Sequence, residues 1–330
     1  MRSLFDSWPR SVHAAWRPIF LAFIAFDAHA FDLQAHRGGR GLMPENTLPA
    51  FDNALSLGVD TLELDVGVTA DGVVVISHDP YLNPQITRDA AGQWLAGAQG
   101  PLIRSLTLAQ LQAYELGRIK PGTPYAETFS TQQPRDGTRM PTLAQLFERV
   151  KARGNAQVRF NIETKIDPTH PEYTVDAEAM TRALLKVVDE HGMARRVTIQ
   201  SFDWRTLQLA RKLAPAIPTV CLTIQTRNTD NTRDGSWTAG LKLADHGSAP
   251  KMAKAAGCAV WSPNGGAVTE PLVKEAQALG LQVVPWTVNA PADLERFVAW
   301  GVDGLITDYP DRLRAVLQRA GRPLPAPTPD

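Results

Sequence analysis

Two strand-like segments carry ionisable side chains of the types that bind metal ions and transfer protons. Glu63 and Asp65 alternate with apolar residues in the first, and Glu163 and Lys165 share one face of the second. Burying an unpaired charge is costly, so inward carboxylates need cations, a metal or a shared proton. Three converging carboxylates predict a hard divalent cation, Ca²⁺ or Mg²⁺, because zinc prefers His or Cys ligands. The alternative is an internal salt-bridge network through Arg37 and Lys165.

A predicted turn after Asp65 brings a histidine towards these carboxylates. Asp71-Gly72 between apolar runs is a strong hairpin signal, which makes the segment 73–79 an antiparallel return. Loops of two to four residues pair His78 with residue 63, 64 or 65. Pairing with 64 would point the His78 side chain away from the carboxylates, because alternate residues face opposite sides. A lone histidine is often a surface residue, but this proximity favours a catalytic role for His78.

The first strand-like segment ends in His36-Arg37-Gly38-Gly39, which adds an imidazole and a guanidinium. The planar fork of Arg37 suits phosphate, and glycines allow a ligand to approach the backbone closely. With His78, the chain then has two imidazoles of ordinary pKa near ~6.5 for proton transfer. Trp286 ends a later strand, where its ring could line a pocket or cap the core.

Strand-like and helix-like segments alternate along residues 31–319, which predicts parallel strands. Eight such units indicate a (β/α)₈ TIM barrel, whose active site lies at the carboxyl ends of the strands. A doubly wound sheet is the rival, but polar residues end nearly every strand here. The segments 80–140 and 226–250 interrupt the alternation, and the first should form a wall of the site. The predicted strands are 33–38, 61–66, 158–165, 197–203, 219–225, 259–264, 282–289 and 304–308.

Composition and charge exclude several classes of protein. The 330 residues are 44% hydrophobic and 21% charged, which is ordinary for a globular chain. Thirty-four basic residues balance thirty-four acidic ones, which leaves no excess charge for nucleic acid or an anionic membrane. Cys221 and Cys258 fall near adjacent strands; we expect two buried free thiols, with a disulfide as the alternative. We expect Asp303 and Asp308 to have structural roles in buried turns.

The two ends of the chain are predicted to lie outside the barrel. Basic residues precede an apolar run at 19–26, and Ala28-His29-Ala30 follows it. This pattern predicts a signal peptide, residues 1–30, cleaved after Ala30, and hence a periplasmic or secreted protein without stable membrane insertion. An amphipathic extension or a misplaced start codon would explain the same residues. The proline-rich tail, residues 320–330, is expected to be disordered.

Several motifs together resemble the glycerophosphodiester phosphodiesterases over residues 31–319. The resemblance implies the PLC-like phosphodiesterase barrel, with a β-hairpin and insertion after strand 2. It further implies a divalent cation held by Glu63, Asp65 and Glu163, and His36 and His78 as the acid/base pair. Arg37 and Lys165 would contact phosphate, and Trp286 would line the glycerol pocket. The motifs are His36-Arg37-Gly38, Pro44-Glu45-Asn46-Thr47, Glu63-Leu64-Asp65-Val66, Ser77-His78-Asp79, Ile162-Glu163-Thr164-Lys165, Ser201-Phe202, Trp286-Thr287-Val288-Asn289 and residues 301–308.

The expected activity is metal-dependent hydrolysis of a small-molecule glycerophosphodiester to sn-glycerol 3-phosphate and an alcohol. One histidine would take a proton from the nucleophile and the other would protonate the departing oxygen. One alternative is a related lysophospholipase D or phospholipase C-like phosphodiesterase. The long insertion, with no obvious apolar stripe for membrane docking, favours a deacylated substrate instead. The other alternative is a non-catalytic barrel that binds glycerophosphodiesters.

Overall fold

The computed structural model describes residues 31–329. These residues form a parallel barrel with its connecting segments. Eight strands follow one another around it in the order β8-β7-β6-β5-β4-β2-β1-β9, and β3 pairs only with β2. The eight predicted strands are therefore all present. Their bounds are β1 Asp32–Ala35, β2 Thr61–Val68, β3 Val74–Ile76, β4 Arg159–Thr164, β5 Val197–Ser201, β6 Thr219–Thr223, β7 Val260–Pro263, β8 Gln282–Val283 and β9 Gly304–Thr307.

The barrel closes between β8 and β9 through single hydrogen bonds and not through a regular ladder. Asp303 donates its N–H to the carbonyl of Val283 at 2.9 Å, and Ile306 donates to Pro285 at 3.0 Å. Val288 also donates to Ile306 at 3.0 Å. The (β/α)₈ prediction is thus confirmed, with a nearly closed parallel barrel whose final seam lacks a regular ladder.

Helices cover the outside of the barrel and run antiparallel to its strands. Side chains that alternate outward along β2 and β4, such as Leu62, Leu64 and Phe160, are fully buried beneath them. Threonine caps start α1 and α4, and Thr142 with Gln145 forms a capping box. The helices are α1 Leu48–Leu57, α2 Leu108–Leu111, α3 Pro124–Thr128, α4 Leu143–Ala152, α5 Ala177–Glu190, α6 Trp204–Leu213, α7 Leu243–His246, α8 Ala249–Ala255, α9 Glu270–Ala278, α10 Pro291–Trp300 and α11 Pro310–Arg319.

Inside the barrel, one half is polar and the other is apolar. Asn161 donates from its amide to the side chains of Gln34 and Gln200, both at 2.9 Å. Gln200 in turn donates to Glu63 at 2.6 Å. The opposite half is filled by aliphatic side chains, namely Val220, Val260, Val284 and Ile306. This series of amide hydrogen bonds fixes the side chain of Glu63 from inside the barrel, because each donor has a buried acceptor.

The hairpin after β2 forms as predicted. Its register is the one that would pair residue 78 with residue 64 and point the His78 side chain away from the carboxylates. Val66 lies opposite Ile76 and Val68 opposite Val74, so continued pairing would put residue 78 beside residue 64. The strand ends at Ile76, and one more hydrogen bond in register follows, from the N–H of Ser77 to the Asp65 carbonyl at 3.0 Å. The chain then bends, so the side chain of His78 no longer follows strand alternation.

The insertion at 80–140 has a small core of its own beside the hairpin. Val75 anchors this core, and short helical turns surround it. Within residues 31–329, none of the helices has both the length and the apolar character that crossing a membrane requires. The buried members of the insertion core are Val75, Leu82, Ile103, Leu111, Leu116 and Met140.

The tail after α11 packs against the end of the barrel opposite the predicted site, so the prediction of disorder is wrong for residues 320–329. Thr328 donates its N–H to the carbonyl of Leu55 at 2.8 Å. Arg153 and Arg314 donate to the carbonyls of Pro329 and Pro325, each at 2.9 Å. Prolines restrict the unfolded chain, so an extended proline-rich segment loses less conformational entropy when it docks. A high proline content is therefore compatible with an ordered tail. The predicted signal peptide lies outside the described residues.

Cys221 and Cys258 form a disulfide, so the expectation of two free thiols is wrong. Cys221 lies in β6 and Cys258 just before β7, and their Cα atoms are 5.9 Å apart. This separation is in the usual range for a disulfide. The sequence placed the two residues near adjacent strands, but it did not show that their side chains face the same side.

A partly buried aspartate just before β2 gives the fold a specific pH dependence. Burial and the neighbouring Asp32 raise the pKa of Asp60 to about 6, although Asp60 accepts a hydrogen bond from the N–H of Leu33. The folded state therefore favours protonated Asp60. The resulting stability is fully present below pH ~4 and is lost as the pH rises through about 6.

Asp60→Asn is expected to stabilise the protein at pH ~7.5 by about 1–2 kcal/mol and by much less near pH ~4, since asparagine carries no charge to bury. Urea unfolding at the two pH values measures the difference. Substitution of the exposed Asp189 by Asn is the matched control and should give no such pH dependence. An equal gain at both pH values would contradict the raised pKa.

Candidate active site

Six of the eight residues singled out from the sequence line one small cavity near the carboxyl ends of the strands, and the other two, Asp65 and Lys165, lie beside Glu163. His36 and Arg37 follow β1 in a single 3₁₀ turn, in which Arg37 has φ 52°. Gly38 continues the turn with φ 81°, and a Cβ there would come within 2.9 Å of the Ala50 side chain. Only glycine therefore fits this position, which lets α1 pack close behind the turn.

The three carboxylates form the cluster that the sequence predicted. Glu63, Asp65 and Glu163 each offer an oxygen within 4.8 Å of the others, and all three residues are at most 6% exposed. The parallel register places Asp65 directly beside Glu163 on the neighbouring strand. Burial, and then repulsion from Asp65, raise the pKa of Glu63 well above its usual range and that of Glu163 to about 7. The cluster therefore holds more negative charge than its surroundings readily accommodate.

The residues of this cluster fit a divalent cation. Asp65 Oδ1 is buried and has no hydrogen-bond donor in the described part of the chain. Its nearest positive atom is Lys165 Nζ at 3.8 Å. An oxygen-only set of three carboxylates is the donor type that Ca²⁺ and Mg²⁺ prefer, and the cation would remove the repulsion that raises the pKa of Glu63 and Glu163.

Two permanent cations already border the carboxylates. Arg37 donates its backbone N–H to Glu63 at 2.8 Å, and its Nε lies 3.6 Å from Asp65. Lys165 donates to Glu163 at 2.8 Å. Burial opposes the charge of Asp65, but the interactions with His78, Lys165 and Arg37, together with the hydrogen bond from Asn46, outweigh it and lower the pKa of that carboxyl. Asp65 is therefore the member of the cluster that stays ionised.

His36 is held by an aspartate for which the sequence indicated only a structural role. The Nδ1 atom of His36 lies 2.5 Å from Asp308 Oδ1, and the Nε2 atom lies 4.0 Å from Glu63. Arg40 and Asn289 also donate to Asp308, both at 2.7 Å. Burial lowers the pKa of His36 to about 4, despite the opposing effect of Asp308. The structural interpretation is therefore incomplete, because Asp308 also fixes the ring of His36.

His78 reaches the same cavity from the bend after β3. Its Nδ1 atom lies 2.9 Å from the Asp79 carboxylate, and its side chain is 31% exposed. Burial, followed by the charges of Arg37 and Lys165, lowers the pKa of His78 well below its usual range. Both imidazoles are thus neutral at pH 7 before an anionic ligand binds.

Asn46 is a further site residue that sequence reasoning missed. It has φ 55°, a left-handed conformation that asparagine tolerates better than most residues, and it donates to Asp65 at 3.0 Å. Arg37 donates to the adjacent Glu45 at 2.9 Å. In the sequence, the Pro44-Glu45-Asn46-Thr47 motif contributes to the family resemblance but does not by itself indicate a role for Asn46. An asparagine just before a helix N-cap was the available signal.

Aromatic rings form one wall of the cavity. Trp286 and Phe202 meet edge to face with their ring centres 5.2 Å apart, and Trp286 donates its indole N–H to the Ser262 carbonyl at 3.0 Å. The cavity has a volume of about 90 Å³, and Trp286 is one of its lining residues. Its other polar lining residues are His36, Arg37, Arg40, Glu63, His78, Glu163, Gln200 and Thr287.

Fold and site together define a class, the α/β-barrel hydrolases that act on phosphodiesters. Residues 36–312 match the model of the Glycerophosphoryl diester phosphodiesterase family. The chain belongs to this family, and it is accordingly an enzyme that hydrolyses glycerophosphodiesters. The resemblance read from the motifs is confirmed.

Relatives match nearly the whole barrel. The glycerophosphodiester phosphodiesterase of Caldanaerobacter subterraneus subsp. tengcongensis is 29% identical, over 87% of this chain and 98% of its own. The enzyme of the same name from Bacillus subtilis is also 29% identical, over 86% and 85%. Among solved structures, a putative glycerophosphoryl diester phosphodiesterase from Silicibacter pomeroyi is 36% identical, with a TM-score of 0.81 over 89% of this chain and 95% of that one.

A more distant structure shares the fold. It is an Oleispira antarctica phosphodiesterase in complex with the product sn-glycerol-3-phosphate, and it is 22% identical with a TM-score of 0.63. The alignment covers 87% of this chain and 96% of that one.

Proposed function

We propose that this enzyme cleaves glycerophosphodiesters by divalent-cation-assisted hydrolysis in which His36 and His78 transfer the protons. The observation that carries the proposal is that two imidazoles line one cavity together with Glu63 and Glu163, which form a buried three-carboxylate cluster with Asp65. The products are sn-glycerol 3-phosphate and an alcohol, and the product complex of the Oleispira antarctica enzyme supports this choice.

The phosphate binds next to Arg37 and Lys165. Carboxylates hold both side chains in place, Glu45 for Arg37 and Glu163 for Lys165, so little ordering is needed when an anion arrives. Together they offset negative charge that develops on the phosphoryl oxygens. Glu63, Asp65 and Glu163 would hold Ca²⁺ or Mg²⁺, which supplies Lewis-acid stabilisation of the same charge when bound.

The two imidazoles differ in how they are held. Asp308 fixes Nδ1 of His36, so Nε2 is the atom left to exchange a proton in the cavity. Asp79 fixes Nδ1 of His78 in the same manner. One ring accepts the proton of the nucleophile while the other gives a proton to the departing oxygen. An anionic phosphate raises the pKa of the ring that must be protonated, because opposite charges attract.

Release of sn-glycerol 3-phosphate from glycerophosphocholine, with and without EDTA, tests the proposal. Chelation is expected to abolish turnover, and excess Ca²⁺ or Mg²⁺ is expected to restore it, because the Lewis-acid stabilisation of the phosphoryl charge is lost with the cation. Full turnover in EDTA after prolonged dialysis would contradict metal dependence. Tight binding of the diester without release would favour the non-catalytic barrel, and release of a phospholipid product from an acylated substrate would favour the phospholipase alternative.

We also propose that the protein is exported to the periplasm or secreted after cleavage behind Ala30. The Cys221–Cys258 disulfide supports this location, because disulfides persist mainly in oxidising compartments. Cell fractionation followed by N-terminal sequencing should find a mature chain that starts at Phe31. A cytoplasmic chain that still carries Met1 would contradict export.

A further inference from the structure

A second, larger cavity opens beside the catalytic one. It has a volume of about 460 Å³, and His78, Glu163 and Phe202 line both cavities. A pocket of this size holds a small organic group, whereas the catalytic cavity of about 90 Å³ does not have room for a whole glycerophosphodiester. A diester whose phosphate lies at the shared residues therefore extends one of its two alcohol groups into the larger cavity.

The larger cavity has aromatic and aliphatic walls. Phe202 contributes one ring and Trp237 another, and Ile166 and Ile224 lie beside them. Trp237 is anchored because its carbonyl accepts a hydrogen bond from the N–H of Trp204 at 2.7 Å. Aromatic faces attract cations through their quadrupole, so this wall favours a positively charged group over an anion.

Carboxylates surround the same space. Asp79, Asp167 and Asp230 line it, and Lys165 is the one permanent cation among its described lining residues. Lys165 is already paired with Glu163 at 2.8 Å and lies over the Phe202 ring, with Nζ 5.9 Å from the ring centre, which leaves Trp237 as the ring free to face a ligand cation. The carboxylates therefore leave the cavity with an excess of negative charge.

Basic groups outside the cavity only partly offset this charge. Arg233 is 75% exposed and lies 3.7 Å from Asp230, and such solvent-exposed pairs are weak. His170 lies 3.0 Å from Asp167 and is half exposed. Hydrogen bonds from Thr232 to Asp230, at 2.7 and 2.9 Å, hold that carboxylate at the rim.

We propose that this cavity binds the departing alcohol and selects one that carries a positive charge, such as a quaternary or primary amino alcohol. The inference rests on the proposed function and adds the substrate class that the site prefers. Asp230 and Trp237, on the loop after β6, determine this preference. An uncharged polyol would fill the space without using the carboxylates, and an anionic head group would be repelled by them.

The test compares kcat/KM for glycerophosphocholine with kcat/KM for glycerophosphoglycerol, whose leaving group is uncharged. Asp230→Asn keeps the shape and the hydrogen bonds to Thr232 but removes the charge, and Trp237→Leu removes the ring. Each substitution is expected to lower the ratio of the two constants by about three- to tenfold, the size of one partly solvated cation–π or ionic contact. Asp245→Asn is the matched control, because Asp245 is exposed on α7 and lines neither cavity.

The outcomes separate this inference from the proposed function. A lower ratio in both variants, with the wild-type ratio retained in the Asp245→Asn control, supports a cation-selective cavity. Release from both substrates with a ratio that neither substitution changes overturns the inference and leaves the hydrolase intact. No release from either substrate by the metal-loaded wild-type enzyme overturns the proposed function, and the inference with it.

Discussion

Replacing either His36 or His78 by alanine is expected to lower kcat by about 10² to 10⁴, which is the usual contribution of one acid/base group. The two rings line the same cavity but are fixed by different carboxylates, Asp308 and Asp79, so neither can take over the role of the other. Steady-state release of sn-glycerol 3-phosphate in the presence of the cation measures the loss.

His246→Ala is the matched control for the histidine variants. His246 ends α7 and lines neither cavity, so its loss should leave kcat at the wild-type value. Circular dichroism should show that all three variants are folded. Wild-type kcat in both site variants would refute the assignment of the two imidazoles as proton-transfer groups.

Glu163→Gln is expected to separate activity from stability. The variant loses a carboxylate ligand of the proposed cation, so turnover should fall by at least ~10²-fold. In EDTA at pH ~8, however, the free energy of unfolding should rise by about 1–3 kcal/mol. The reason is that the pKa of Glu163 is raised to about 7, so its charged form is unfavourable in the folded state above that pH. Glutamine keeps an acceptor for Lys165 and is uncharged.

The sign of this effect follows from linkage. A raised pKa means that stability is highest when Glu163 is protonated and is lost as the pH rises through about 7. The gain in the variant should therefore be much smaller near pH ~3.5, where the wild-type residue is mostly protonated in both states. Urea unfolding at the two pH values, with the exposed Glu172→Gln as control, checks this expectation. A loss of stability at pH ~8 would contradict it.

Residues whose position follows from strand alternation were predictable from the sequence. Glu63, Asp65 and Glu163 occupy inward positions on neighbouring strands, and the period of two fixes that face without knowledge of the fold. The turn chemistry of Asp71-Gly72 likewise predicted the hairpin. Since parallel strands bring their carboxyl ends to one edge, His36 and Trp286 could be placed at the same mouth.

Residues that depend on irregular backbone were not predictable. The hairpin register alone directs His78 away from the site, and only the bend of the chain at 78–80 returns it to the cavity. Asp308 pairs with His36 across 272 residues of sequence, which no local pattern reveals. Asn46 acts through a left-handed conformation in a loop, where tertiary contacts and not alternation set the direction of the side chain.

The bond between Cys221 and Cys258 closes a ring of chain, since 37 positions separate the two cysteines. The loop after β6, with Asp230 and Trp237, lies wholly inside that ring. A protease that nicked this loop would leave both halves tethered to β6 and β7, so the barrel would stay joined while one wall of the larger cavity came apart. If the enzyme is exported as proposed, such a cleavage would change its substrate preference while the barrel remained folded.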